Sequence, residues 1–329
     1  MQWPESDFNF DDHAQKESLK FRVYEILFDY GIRVEWITGD SYHKTVRIPV
    51  DLNMLEPYVD LVAKLRDSGA QFLKAETNPT WDEMVIEVAV DGEALFKLTL
   101  VQDNALKRIG GKIAIVIDDF GYSFNKTVKE FINLEPKVTL SILPGLSYSR
   151  KIAESAFGNH REVMLHLPME PQANKVKFDE YILLTSMNDT EVRSRVRKAI
   201  AAIPHAVGMN NHMGSLATVD EKVVAALMDE VKKTELFFLD SRTNSKTRAF
   251  NQAQKMKIPC NINDTFLDNI DEEPYIRQQL YSLAEIATKN GQAIGIGHPR
   301  PLTLKVLKQE LAVLKKKGYK FVTVSKTVK

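Results

Sequence analysis

Apolar residues at Leu19, Val23, Ile26, Leu27 and Tyr30 recur at the spacing of one helix face, and Gly31 closes the run. The pattern then alternates. Residues 33–38 and 44–50 read as strands, 55–67 as a second helix stopped by Ser68-Gly69, and 71–75, 84–90 and 94–101 as further strands. Asp91-Gly92 supplies the hairpin turn between the last two. These elements predict a small α+β domain over residues 15–108. The polar, acidic stretch 1–14 before it reads as a disordered tail.

From Gly111 the rhythm changes to strand–helix alternation. Strands are predicted at 112–117, 137–142, 162–166, 206–209, 235–239, 257–260, 292–296 and 320–323. Helices are predicted at 125–133, 149–157, 190–203, 220–233, 275–289 and 303–317. Strands separated by helices imply a parallel sheet, and this many units over residues 111–329 predict a (β/α) barrel. Chemistry in such a barrel sits at the C-terminal ends of its strands.

Composition changes this picture little. The 329 residues suit two domains, and 44% hydrophobic with 27% charged residues describes a globular chain. Net charge is zero but uneven: residues 1–108 hold 12 basic and 20 acidic side chains, the remainder 32 and 24. That contrast supports a boundary near residues 107–111. No dense basic run with interleaved aromatics argues for nucleic acid. The single cysteine, Cys260, excludes an internal disulfide. No apolar run reaches the length of a membrane span. The first residues lack the basic start and apolar stretch of a signal peptide, so the expectation is either a cytoplasmic protein or an extracytoplasmic one whose leader lies outside this sequence.

The strand ends carry the candidate chemistry: Asp118-Asp119, His166, Asn210-Asn211-His212, Asp240-Ser241 and His298. Successive strand residues point opposite ways, so the aspartate pair can divide its work, one carboxylate gripping a metal and the other taking a proton. A helix cap is the bland alternative for that pair. Imidazoles and a carboxylate are normal ligands of a catalytic zinc.

Ile117-Asp118-Asp119-Phe120-Gly121, His166-Leu167-Pro168-Met169-Glu170, Asn210-Asn211-His212-Met213-Gly214-Ser215, Leu239-Asp240-Ser241-Arg242 and Gly295-Ile296-Gly297-His298-Pro299 together resemble the divergent polysaccharide deacetylases. The resemblance covers residues 111–329 and leaves the first domain without a role. It implies a distorted (β/α) barrel that uses a divalent metal, zinc by default, to remove acyl groups from a glycan. It further implies that Asp118 acts as general base, Asp119 and His166 bind the metal, and His298 acts as general acid.

The sequence departs from the superfamily where a second metal histidine is expected four residues after the first, because Glu170 stands there. Either Glu170 or His212 completes the ligand set, and an Asp-His-His trio favours His212. Asn210 and Asn211 then read as orienting groups, Asp240 as a partner holding a histidine or as a turn cap, and Arg300 as a substrate contact or a surface residue. A glycan is the expected partner, at the cell envelope, with a protein partner for the first domain. A catalytically decayed carbohydrate-binding module and a metal-free glycosidase are the alternative readings.

Overall fold

The structure is a computed structural model that describes residues 10–108, 110–172 and 180–329, with side chains from Ser18 onward. The expected tail is described only from Phe10, where a helix already begins, and residues 1–9 lie outside the described ones. The chain divides into two compact units, the first made of the residues up to Arg108 with Lys316–Gly318, the second of Gly110–Lys315 with Tyr319–Lys329. Among the described residues no helix is long and apolar enough to cross a membrane.

The first unit contains α1 (Phe10–Asp29), β1 (Ile37–Gly39), β2 (His43–Pro49), α2 (Leu55–Arg66), β3 (Gln71–Thr77), β4 (Glu83–Val90) and β5 (Glu93–Asp103). Its sheet runs β1-β2-β5-β4-β3. All pairings are antiparallel except β2 with β5. Val46, Ile48, Ile86, Val88, Leu98 and Leu100 share a core with Leu19, Val23, Leu27, Leu61 and Leu65 of the two helices. Residues 34–36, expected as strand, form a short 3₁₀ turn instead.

The second unit winds β6 (Lys112–Phe120), α3 (Lys126–Ile132), β7 (Thr139–Ile142), α4 (Ser149–Gly158), β8 (Val163–Met169), α5 (Asp189–Ala202), β9 (Ala206–Met213), α6 (Glu221–Val231) and β10 (Phe237–Asp240). It continues through α7 (Ala249–Lys255), β11 (Cys260–Ile262), β12 (Thr265–Phe266), α8 (Glu273–Asn290), β13 (Gln292–Gly297), α9 (Pro301–Lys316) and β14 (Lys320–Phe321). The strand order is β11-β10-β9-β8-β7-β6-β13-β12, every pairing is parallel, and β14 joins β6. β11 and β12 are two halves of one segment: the first pairs β10, the second β13, and Asn263-Asp264 carries the chain between them. The sheet is therefore curled into the distorted (β/α) barrel the sequence predicts. α7 and β12 are the two elements not anticipated.

Alternation sets which residues face inward. Ile113, Ile115 and Ile117 of β6 pack outward against the helices, whereas Ala114 and Val116 point inward with Met164, Phe237, Leu239, Ile294 and Ile296. Val324, from the turn Val324–Lys326, fills the same interior. Following this phase to the rim brings Asp118, Ser141, His166, Asn210, His212, Ser241, Asp268 and His298 inward. Gly208 lies on the inward phase too, where a Cβ would stand 2.4 Å from the Phe237 ring.

Candidate metal centre

Phase alone does not explain Asp119, which alternation would turn away from the barrel. Its φ of +60° departs from the strand, and the β6–β7 register shifts between Ile117 and Phe120. An aspartate tolerates this left-handed conformation better than most residues. Gly121, two residues on, has φ +136°, and a Cβ there would meet Leu146 and Ser149 at 2.9 Å. The two carboxylates therefore converge, where opposite directions were expected. Met213 (φ +53°) and Arg242 (φ +55°) make the same left-handed turn just beyond His212 and Ser241.

Asp119 Oδ1 lies 3.1 Å from Nε2 of His166 and 2.9 Å from Nδ1 of His212, and those nitrogens are 3.1 Å apart. Asp119, His166 and His212 are the group of possible ligands found among the described residues. Asp119 Oδ1 is buried, yet neither ring directs an N–H at it with hydrogen-bond geometry. Three lone-pair donors meeting in this way fit a cation, and one carboxylate with two imidazoles suits zinc. Burial opposes the charged form of Asp119, but His166 and His212 outweigh it and hold its carboxyl far below the usual range.

Asp118 sits beside the trio, with Oδ2 3.6 Å from His166 Nε2. Burial pushes its carboxyl above the ordinary value, against the opposing pull of His166 and Asn210. Asn210 donates from Nδ2 to both Asp118 oxygens and to Ser241 Oγ, each at 3.0 Å. Its Oδ1 accepts from His166 Nδ1 at 2.9 Å and from Ser141 Oγ at 2.5 Å. Asn211 faces the other way: Oδ1 accepts from the Ser241 N–H at 2.9 Å and Nδ2 donates to the Met213 carbonyl at 2.8 Å, which ties two rim turns together.

His298 stands across the mouth, with Nε2 3.9 Å from Asp119 Oδ2. Asp268 holds it: Oδ1 accepts from Nδ1 at 2.7 Å, and Oδ2 accepts from the His298 backbone N–H at 2.8 Å and from Thr303 Oγ1 at 2.6 Å. Burial disfavours the imidazolium, but Asp268 more than compensates, so the His298 pKa lies above its ordinary value. The same pairing holds Asp268 below the usual carboxylate range despite its burial.

Asp268 is the residue that sequence reading missed, and Asp240 takes the turn-cap role, the second of its two sequence readings. Asp240 falls on the outward phase of β10 and accepts from Arg242 N at 2.8 Å, Thr247 Oγ1 at 2.7 Å and Phe250 N at 3.1 Å. It caps the turn into α7 and holds no histidine. Glu170 is engaged elsewhere, since its Oε2 accepts from the N–H and hydroxyl of Thr185, both at 2.7 Å. Arg300 donates to the Asp268 carbonyl at 2.5 Å, so it supports that loop. The signal for Asp268 was its two-residue step from Phe266, which the unrecognised β12 concealed.

Residues 115–328 match the divergent polysaccharide deacetylase family. An uncharacterized protein of Haemophilus influenzae is 34% identical over 228 residues, which cover 69% of this chain and 80% of that protein. The uncharacterized protein YibQ of Escherichia coli is 35% identical over 201 residues, 61% of this chain and 62% of YibQ's own length. The crystal structure of uncharacterized protein ATU2773 from Agrobacterium tumefaciens shares the fold, with a TM-score of 0.64 at 24% identity, over 67% of this chain and 89% of that one. With about two thirds of its length inside the family match, the chain belongs to the divergent polysaccharide deacetylase family.

Proposed function

We propose that the protein is a metal-dependent hydrolase that removes N- or O-acyl groups from a glycan. The observation that carries this reading is the meeting of Asp119, His166 and His212 on one point, with Asp118 on one side and the Asp268–His298 pair on the other. A divalent cation at such a site, zinc by its donor set, supplies an electrophile for the acyl carbonyl and acidifies water.

The protein's own groups account for the proton movements. Asp118, desolvated and raised in pKa, is a stronger base than a solvated carboxylate and takes a proton from the attacking water. The C–N or C–O bond of the tetrahedral intermediate then breaks. His298 delivers a proton from Nε2 to the departing nitrogen or oxygen, while Asp268 stabilises the imidazolium through Nδ1. Acetate and the free amine or hydroxyl are the products of an acetylated substrate. With a glycan of the cell envelope as substrate, the protein works outside the cytoplasm.

The test is metal content by mass spectrometry after zinc loading, followed by acetate release from acetylated oligosaccharides. About one metal per chain together with acetate release supports the proposal. Binding without release under any assayed glycan favours the decayed binding module. A chain that takes up no divalent metal sinks the hydrolase reading.

A further inference from the structure

One buried side chain touches both halves of the proposed machinery. Asn210 is fully buried on the inward phase of β9, between β8 and β10. An amide is directional: its oxygen only accepts and its NH₂ only donates. The oxygen faces His166 Nδ1 and Ser141, and the nitrogen faces Asp118 and Ser241. An accepting oxygen at 2.9 Å requires a proton on Nδ1 of His166, which leaves the Nε2 lone pair directed at Asp119 and His212. A donor shared by both oxygens of Asp118 holds that carboxylate in one orientation beside His166.

We propose that Asn210 is a positioning residue which fixes the ligand tautomer of His166 and the orientation of the base Asp118 through a single amide. The Asp118 half rests on the hydrolase reading above, whereas the His166 half does not. Ser141 reinforces the assignment, because its hydroxyl supplies a second donor to the oxygen end and opposes rotation of the amide. Asn210 therefore couples a group that holds the cation to one that moves a proton, with no charge of its own.

Two substitutions separate the halves. Asn210→Asp retains an oxygen for His166 and Ser141 but turns an acceptor toward Asp118. Asn210→Leu removes both contacts. Ring ¹H–¹⁵N spectra of ¹⁵N-histidine protein report the His166 tautomer, competitive titration gives zinc affinity, and acetate release gives kcat and KM. In wild type, His166 carries its proton on Nδ1. Asn210→Asp keeps that tautomer and keeps zinc affinity within a few-fold, while kcat falls by at least about tenfold at unchanged KM. Asn210→Leu loses the single tautomer and weakens zinc binding by about 10–100-fold.

An Asn210→Leu protein with native tautomer and native zinc affinity overturns the proposal, as does Asn210→Asp with wild-type kcat. Thermal melts verify folding, and Asn210→Ser takes the place of Asn210→Leu if the latter does not fold. Should wild type bind no zinc, the hydrolase reading falls, yet ring spectra at alkaline pH still decide the His166 half.

Discussion

The carboxylates of Asp118 and Asp119 reach the same atom, Nε2 of His166, at 3.6 and 3.1 Å. Two neighbours on a regular strand would diverge, and here the φ of +60° at Asp119 swings the second back toward the first. The proposed division of labour, one position as cation ligand and the other as base, requires that they share a face.

The ligand set is separable by mutation. His166→Ala and His212→Ala each abolish stoichiometric zinc retention on dialysis, because two donors do not hold the ion firmly. Glu170→Gln keeps one zinc per chain, since its carboxylate serves Thr185. Zinc lost from Glu170→Gln but retained by His212→Ala would reverse the assignment.

The Asp268–His298 pair sets a pH dependence with a definite sign. A general acid works only while protonated, and Asp268 holds the His298 pKa above its ordinary value. Asp268→Asn lets that pKa fall, so the alkaline limb of the acetate-release profile moves to lower pH. Stability follows the same sign: the raised histidine contributes fully below its unfolded pKa, near 6.5, and that contribution disappears as pH rises through the folded value. An alkaline limb that stays in place in Asp268→Asn removes His298 as the acid.

Asp240 behaves as structure. Its replacement by Ala strands three donors at the entry to α7. The expected loss is roughly 2–4 kcal/mol in denaturant unfolding, with zinc affinity unchanged. A fall in zinc affinity without a fall in stability would return Asp240 to the site.

Beneath the site, Gly208→Ala drives a methyl group into the Phe237 ring. Overpacking of this kind costs about 1–3 kcal/mol. The double variant with Phe237→Leu recovers part of that loss, a non-additivity that a double-mutant cycle measures. Strict additivity would mean the two residues do not compete for space.

Much of the fold was legible because each βα unit carries its own period, and Asp118, His166, His212 and His298 were picked out by position at or just after predicted strands, although β8 runs on past His166 to Met169. What stayed hidden was phase. Phe237, Phe238 and Leu239 are all buried, since a parallel strand is covered on both faces, so nothing in β10 announced that Asp240 points outward. β12 has only two residues, too short for any periodicity, and Asp268 was lost with it. The turn at Asp119 was equally silent, because a left-handed aspartate reads in sequence like any other.

The left-handed turns at Asp119, Met213 and Arg242 also bear on transplantation. Copying the aspartates and histidines onto the ends of straight strands in another barrel would reproduce the residue types and scatter their side chains. A graft needs the three torsions before it needs the ligands, so the inheritable unit of this site is a backbone path at the rim, with the chemistry written onto it second.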